Sequence, residues 1–182
     1  LSASVVLATL ASADVSWWPS SGTGEASAGA VAAVDRHFAV NAAKGGRAEV
    51  EMSKLARSQG TGEVRSLAQQ IQKDHEKANA ELKALAERKS ITLDEDLTPE
   101  HRQAHERLGG MSGREFDQAY TEQMLSDHKK TIADFERYTR DGSDTDLKKF
   151  AEKTLPTMRH VWMIVHTGRV ATNEDDPATL AP

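Results

Sequence analysis

Three residues of this chain carry metal-ligating side chains at positions where apolar residues are expected. Glu49, His75 and His128 each interrupt a series of apolar residues spaced three and four apart, which is the spacing of one helix face. Carboxylates and imidazoles that project inward from facing helices are the ligands of metal sites in helical bundles, and imidazole is the commonest protein ligand for transition metals. These residues therefore predict a transition-metal site, with Fe, Zn or Cu as candidate ions.

A simpler alternative is open for the same three residues. Buried polar groups need hydrogen-bond partners, and Glu49, His75 and His128 meet that need if they bond to one another or to the backbone. Such a network fixes one packing register without binding an ion. In addition, the long helical segments lack the two Glu-x-x-His motifs of a ferritin-type di-iron site.

Other residues near these positions are weaker candidates. Each core histidine follows an aspartate, in Asp74-His75 and Asp127-His128; successive helical residues point 100° apart, so we expect both aspartates beside the inward face, where they can orient an imidazole. His160 is a fourth candidate ligand, although it lies next to the apolar stripe of the last helix. His101 and His105, four residues apart on one face of a short helix, could bind a metal at the surface, although a solvated face without a metal is the expected arrangement.

Four long helical segments and one short one must position these side chains. Apolar spacing predicts long helices over about 34–58, 62–88, 113–140 and 144–169, and a short helix over about 99–108. The predicted N-terminal caps are Thr61, Thr98, Ser112 (with Glu115 as a capping box) and Ser143. Pro156 should kink the last helix or mark a restart, and Gly45-Gly46 indicates close helix packing.

One apolar stripe on each long helix predicts an all-α four-helix bundle. The short extra helix falls in the long connection between the second and third long helices, residues 89–112. A connection of that length can cross from one end of the bundle to the other. The predicted architecture is therefore ferritin-like.

The two ends of the chain differ in composition from the predicted bundle domain, residues 31–170. Residues 1–13 form a short apolar run ending in Ala11-Ser12-Ala13, a pattern typical of a signal-peptidase site. Trp17 and Trp18 follow, and tryptophan favours the membrane–water interface. Residues 1–30 are therefore either an export signal or a membrane or partner anchor with a linker, and both interpretations place the domain in the periplasm or cell envelope. Residues 171–182 form a polar tail.

Composition excludes several classes of function. The net charge of −5 argues against nucleic-acid binding, which usually needs a basic patch. The chain contains no cysteine, so disulfides, thiolate nucleophiles and iron–sulfur ligation are excluded. The sequence has neither a Ser-His-Asp arrangement nor a Gly-rich phosphate motif. We therefore expect a protein that is not an enzyme.

Four segments of the chain resemble, in order, a bacterial exported family of unknown function that is labelled a predicted outer-membrane protein. They are FAVNAAKGGRAEVEMSKLA, VRSLAQQIQKDHEKANAELKALA, FDQAYTEQMLSDHKKTIADFE and LKKFAEKTLPTMRH, within about residues 36–166. The resemblance implies a ferritin-like bundle in the periplasm or envelope and no established reaction. Family members usually carry histidine five residues after the Leu-Pro proline, where this chain has Val161, with His160 one place earlier. A polar site of that family would lack one member here.

The sequence favours a non-catalytic, exported bundle that acts as an accessory or interaction subunit. Its expected partner is another envelope or membrane protein, with membrane contact through residues 1–19 and an anchor at Trp17 and Trp18. The alternative function is a ferritin-like metal-binding protein that uses Glu49, His75 and His128, with His160 as a further ligand. No cofactor is established by the sequence beyond the candidate transition metal.

Overall fold

Five α-helices make up the part of the chain that a computed structural model describes, residues 31–94 and 96–167. They are α1 (Ala33–Gln59), α2 (Gly62–Arg88), α3 (Pro99–Gly109), α4 (Gly113–Asp141) and α5 (Thr145–Thr167). No strand occurs within these residues. The predicted all-α, ferritin-like four-helix bundle with a short extra helix between the second and third long helices is confirmed. The predicted terminal segments, including Trp17 and Trp18, lie outside the described residues.

Two apolar clusters form the core and show the direction of each helix. The Phe38 cluster comprises Phe38, Ala39, Ala43, Leu82, Leu85, Ala86, Ile91, Phe135, Tyr138, Leu147, Phe150, Ala151, Leu155 and Met158. The Met52 cluster comprises Ala48, Met52, Ala56, Leu67, Ala68, Ile71, Ala104, Leu108, Phe116, Tyr120, Met124, Val161, Ile164 and Val165. Helices α1 and α5 run from the Phe38 cluster to the Met52 cluster, whereas α2 and α4 run the opposite way.

Helices α2 and α4 are therefore parallel, and the connection between them must return along the whole bundle. A 27-residue helix such as α2 is about 40 Å long. The connection begins beside the Phe38 cluster, which Ile91 and Leu93 contact, and ends beside the Met52 cluster, which Leu97 and Leu108 contact. The crossing expected from its length is observed, and it lays α3 against α1 and α4.

Helix starts follow the predicted capping residues in part. The Thr98 side chain accepts a hydrogen bond from the His101 backbone N–H at 3.2 Å, and Pro99 occupies the first turn of α3, as predicted. Helix α5 is capped by Asp144 and not by Ser143, because Asp144 Oδ1 accepts the backbone N–H groups of Asp146 and Leu147, both at 3.0 Å. A carboxylate also complements the positive end of the helix dipole.

Two other predicted caps are in position but do not act through their side chains. Thr61 and Ser112 occupy the N-cap positions of α2 and α4, yet neither side chain makes a capping hydrogen bond within the described structure. The capping box of Ser112 was therefore a wrong prediction. At the start of α2, the Thr61 backbone N–H makes a tertiary contact and donates to Asp117 Oδ1 of α4 at 2.9 Å. Pro156 lies inside α5 without a restart of the helix.

A buried carboxylate joins α1 to the turn between α4 and α5. Asp35 is 2% exposed, and its Oδ1 accepts hydrogen bonds from the Tyr138 hydroxyl at 2.6 Å and from the backbone N–H groups of Ser143 and Asp144 at 2.9 and 3.1 Å. The Tyr138 ring stacks on Phe38 with centroids 3.8 Å apart. This contact fixes the start of α5 against the start of α1 at one end of the bundle.

The paired glycines of α1 differ in their surroundings. A Cβ atom on Gly46 would lie 2.0 Å from Asn79 Oδ1, whereas one on Gly45 would meet nothing within 4 Å in the described structure. The predicted close packing therefore applies to Gly46 alone, which faces α2.

This difference predicts opposite tolerance to alanine. Gly45→Ala should raise the free energy of unfolding by about 1 kcal/mol, the usual helix preference for alanine over glycine. Gly46→Ala is the matched control and should gain less or destabilise, because Asn79 must rotate away. Urea denaturation of both variants measures the effect, and a loss of stability in Gly45→Ala would contradict it.

Candidate metal centre

Glu49 of α1, His75 of α2 and His128 of α4 lie together inside the bundle. His75 and His128 lie between the Phe38 and Met52 clusters along their helices, and Glu49 follows Ala48, the first Met52-cluster residue of α1; the three are 2% (Glu49), 5% (His75) and 0% (His128) exposed. One ligand atom from each of the three lies within 4.8 Å of the others. The helices thus place at one depth the three polar residues that interrupt the apolar stripes. Metal ligation by them stays a prediction.

The carboxylate of Glu49 is in contact with both imidazoles. Its Oε2 lies 2.8 Å from Nε2 of His75 and 3.4 Å from Nδ1 of His128. The first contact is a close ion pair between the Glu49 carboxylate and the His75 ring, and it contributes to the raised pKa of His75. The two imidazole rings are nearly perpendicular, with centroids 5.6 Å apart.

The backbone of α4 fixes the orientation of His128. Its Nδ1 lies 3.0 Å from the carbonyl oxygen of Met124 and donates to it. In its neutral form, an imidazole held in this way carries its proton on Nδ1 and offers a lone pair at Nε2, which is the usual arrangement in metal-ligating histidines. Nε2 of His128 is buried and has no partner within the part of the chain that the structure describes.

The pKa values of Glu49 and His75 are set by two opposing effects, burial and the nearby charged side chains. Burial alone raises the pKa of Glu49, but the imidazoles of His128 and His75 outweigh it and lower that pKa from 4.5 to about 2. Burial lowers the pKa of His75, whereas the Glu49 carboxylate raises it, and the net result is a pKa above its ordinary value of 6.5. Glu49 is therefore ionised at neutral pH, and His75 holds a proton more tightly than a solvated histidine.

These shifts predict how the stability of the metal-free protein depends on pH. The raised pKa of His75 gives a stabilisation that is complete below pH 6.5 and is lost as pH rises through the higher pKa of the folded state. The lowered pKa of Glu49 also stabilises the folded state, and this stabilisation is complete above pH 4.5 and is lost as pH falls toward 2. We expect this pair to contribute most to the free energy of unfolding between those limits.

Urea denaturation in a chelating buffer at about pH 5.5 and about pH 8.5 measures the dependence. His75→Gln removes the titrating ring and should flatten the difference between the two values. The groups that face His75 are Glu49 and His128, and Asp74 on the same helix also raises its pKa. An identical difference in the wild type and in His75→Gln would show that other groups cause it.

A second polar contact continues the cluster and was missed by sequence reasoning. Ser53 and Tyr120 are fully buried, and their hydroxyl oxygens are 3.0 Å apart. Burial, reinforced by the charge of Glu49, raises the pKa of Tyr120 and keeps its phenol protonated. Ser53 follows Glu49 by four residues on the same helix face, and that spacing was the available signal.

The remaining predicted candidates do not join the three residues. His160 is only half-buried, because Val161 takes the inward position of α5 in the Met52 cluster. Among the described residues His160 is outside the group whose ligand atoms converge. Asp74 and Asp127 accept hydrogen bonds from Gln70 and Gln123, respectively. The sequence led us to expect that an aspartate orients the imidazole; for His128, the Met124 carbonyl does so.

His101 lies close to this cluster, which the sequence did not predict. A cavity of about 110 Å³ is lined by Glu49 and His75 at one end and by His101 and Asp127 of α4 as well. His101 is half-buried, and its Nδ1 is buried without a hydrogen-bond partner in the described structure. The prediction of a solvated His101 was wrong because the crossing connection lays α3 over the α1–α4 face.

The donor set fits a divalent transition metal. It provides one carboxylate and two imidazoles, a combination that suits Zn, Cu and Fe, and it leaves at least one coordination position for water or another ligand. Two ligands on one zinc ion are at most about 4 Å apart, so the three side chains must move slightly closer to share an ion. His128 Nε2, which is buried and has no hydrogen-bond partner within the described residues, is the atom that such an ion would satisfy.

The same fold occurs in solved structures of another family of unknown function. A DUF305 fragment from Deinococcus radiodurans matches with a TM-score of 0.69 and 14% identity, over 77% of this chain and 97% of that one. A DUF305 protein from Streptomyces coelicolor, provisionally described as secreted, matches with a TM-score of 0.65 and 16% identity, over 79% of this chain and 97% of that one. At such identities the likeness establishes the fold alone.

Sequence comparison identifies the family. No curated protein matches the chain. The family described as a domain of unknown function, DUF4142, matches residues 20–166, a range that contains Glu49, His75 and His128. The resemblance to a family of unknown function is thus confirmed, whereas its outer-membrane label stays a prediction. With most of its length matched, the chain belongs to the DUF4142 family.

Proposed function

We propose that this domain binds one divalent transition-metal ion through Glu49, His75 and His128. The observation that carries the proposal is the convergence of one carboxylate and two imidazoles within 4.8 Å of one another in the bundle core, together with the buried Nε2 of His128, which lacks a hydrogen-bond partner among the described residues. A buried polar atom without a partner costs about 1–3 kcal/mol. One cation would satisfy that nitrogen and neutralise the Glu49 carboxylate.

This observation also weighs against the simpler alternative of a self-contained network. Such a network would give every buried nitrogen and oxygen a partner, and His128 Nε2 would then face a donor or an acceptor. Instead, Nδ1 of His128 is fixed by the Met124 carbonyl, so the proton is held on the side away from Nε2. The lone pair of Nε2 is left for a ligand.

The donor set supports an order of preference among metals. Nitrogen and oxygen ligands bind first-row divalent ions in the general order Fe²⁺ below Zn²⁺ below Cu²⁺. We therefore expect Cu²⁺ and Zn²⁺ to bind more tightly than Fe²⁺ to the purified domain. The ion held in the cell also depends on which metals the compartment supplies.

Calorimetric titration of the metal-stripped full chain with Zn²⁺ tests the proposal, and elemental analysis of the purified protein accompanies it. The expected result is one ion per chain. His75→Ala should bind weakly, whereas His105→Ala, a change on the surface helix α3, should bind as the wild type does. No binding by the wild type, or equal binding by all three proteins, would refute the metal function.

A second proposed function is that of a non-catalytic accessory subunit exported to the periplasm or cell envelope. The family match begins at residue 20, so the apolar run and Trp17-Trp18 precede the shared domain. The description of the Streptomyces coelicolor relative as secreted supports export. No helix among the described residues is long and apolar enough to cross a membrane; in this proposal, residues 1–19 supply the attachment to a membrane or to another envelope protein.

Cell fractionation tests the accessory function. The full chain is expected with the membrane fraction, and the double variant Trp17→Ala, Trp18→Ala is expected to shift to the soluble extract. Thr23→Ala, in the linker, is the control and should not shift. Equal distribution of all three proteins would contradict attachment through the tryptophan pair.

A further inference from the structure

We propose that His101 and Asp127 form an entrance site through which a divalent transition-metal cation reaches Glu49, His75 and His128. The inference rests on the proposed metal function and adds a route and a second, weaker binding position. It assigns to the crossing helix α3 a role in metal uptake.

The route is defined by two neighbouring cavities. The inner cavity extends from Glu49 and His75 to His101. The outer one is a groove between α3 and α4, lined among others by Gln103, Arg107 and Gln123. Thr98, His101, Asp127 and Lys130 line both cavities. In this proposal, a cation that moves from the groove to the bundle centre crosses the shared wall that contains His101 and Asp127.

His101 has the properties of a ligand at this point. Its Nδ1 is buried and has no hydrogen-bond partner within residues 31–94 and 96–167, so a cation would meet an unused nitrogen. The backbone N–H of His101 donates to the Thr98 cap, which fixes the backbone of this residue in the first turn of α3. The imidazole is thus presented to the cavity by a rigid element.

Asp127 supplies the charge that attracts a cation to the same place. Its two carboxylate oxygens each lie 3.0 Å from Nε2 of Gln123, which holds them in position while leaving lone pairs for a metal. Lys130 also lines the shared wall, but its side chain is 76% exposed and its Nζ lies 3.5 Å from Asp134. Lys44 of the inner cavity pairs with Asp94 at 2.6 Å, and Arg107 of the groove donates to Gln123 at 3.0 Å, so these positive groups also have partners on the protein.

Distance makes this an entrance site and not a fourth ligand of the central ion. Within the described residues, the group whose ligand atoms lie within 4.8 Å of one another contains Glu49, His75 and His128 but not His101. A site with two protein ligands binds more weakly than one with three, so a cation held by His101 and Asp127 would pass inward. The proposed direction of uptake follows from this difference.

Stopped-flow mixing of the metal-stripped full chain with Co²⁺ tests the route, because the visible bands of bound Co²⁺ report both the rate of binding and the ligand set. His101→Ala and Asp127→Asn are expected to slow association at least about fivefold, with one ion per chain and an unchanged final spectrum. His105→Ala lies on the same helix and lines neither of these two cavities; it is the control and should bind at the wild-type rate. His101→Asn is a second variant with a smaller change of volume.

The outcomes separate this inference from the function on which it rests. Wild-type rates in both His101 variants and in Asp127→Asn would overturn the entrance site while leaving the central site intact. A changed final spectrum in His101→Ala would also overturn it, because His101 would then be a ligand of the central ion. If the wild type takes up no Co²⁺, both the central metal site and the entrance site are refuted.

Discussion

His128→Gln is expected to lower the affinity of the domain for Zn²⁺ by at least about 100-fold. Loss of a group that merely orients a metal ligand already costs 10–100-fold in affinity, and this change removes a ligand itself. Glutamine has a volume close to that of histidine, so the packing between the Phe38 and Met52 clusters is largely kept. Calorimetric titration at neutral pH, with the fold monitored by circular dichroism, measures the change.

His160→Gln is the matched control for this prediction. His160 is half-buried and is not in the converging group of the described residues, so its replacement should leave the affinity unchanged within about twofold. Equal losses in the two variants would mean that α5 contributes a ligand and that the bundle rearranges on binding. No loss in His128→Gln would contradict a central metal site.

The affinity should also depend on pH through His75. Its raised pKa means that a proton and the metal compete for the same ring, since a ligating imidazole must be neutral. Zn²⁺ binding is therefore expected to release a proton near neutral pH. In the His128→Gln titration, comparison with the wild type at a single pH keeps this effect constant.

Asp35→Ala is expected to lower the free energy of unfolding by about 3 kcal/mol. The substitution removes one acceptor from the Tyr138 hydroxyl and from the backbone N–H groups of Ser143 and Asp144. Hydrogen bonds to a charged group contribute about 1.5–3 kcal/mol each, and buried donors left without a partner add a penalty. The contributions are not additive, so the sum is smaller than three such bonds. Urea denaturation measures it.

Asp35→Asn is the control for the role of charge. The amide keeps an oxygen that can accept from Tyr138 or from the turn, so the loss should be about half as large. Neither variant should alter Zn²⁺ affinity in the folded protein, because Asp35 lies at the end of the bundle where α5 begins. A loss below about 1 kcal/mol in Asp35→Ala would show that water replaces the carboxylate at little cost.

Val161 bears on the chemistry of the central site. The resemblance drawn from the sequence implies a histidine at this position, whereas Val161 is 2% exposed within the Met52 cluster. A valine there gives the site an apolar wall on α5. In the proposed function, the ion is then held by three protein ligands from α1, α2 and α4.

The sequence determined the helices and the inward positions of Glu49, His75 and His128. The 3.6-residue period is a local property, so apolar residues spaced three and four apart mark the buried face of each helix whatever its neighbours are. The same spacing placed Val161 inward and His160 beside it. The length of residues 89–112 allowed the crossing, because a short connection cannot join two parallel helices of this length.

Only the tertiary structure decided which atoms meet. The Met124 carbonyl that orients His128, the Asp144 cap of α5, and the acceptor role of Asp35 toward residues more than 100 positions away all depend on side-chain rotamers and on how the helices pack. The position of His101 depends on where the crossing connection lies against α1 and α4. The Met124 and Asp144 contacts are local, but helix spacing does not fix the side-chain rotamers that make them. The Asp35 contacts and the position of His101 join parts of the chain that are far apart, and no local period encodes their distance. The candidate ligands could therefore be predicted from the sequence, and the route to them could not.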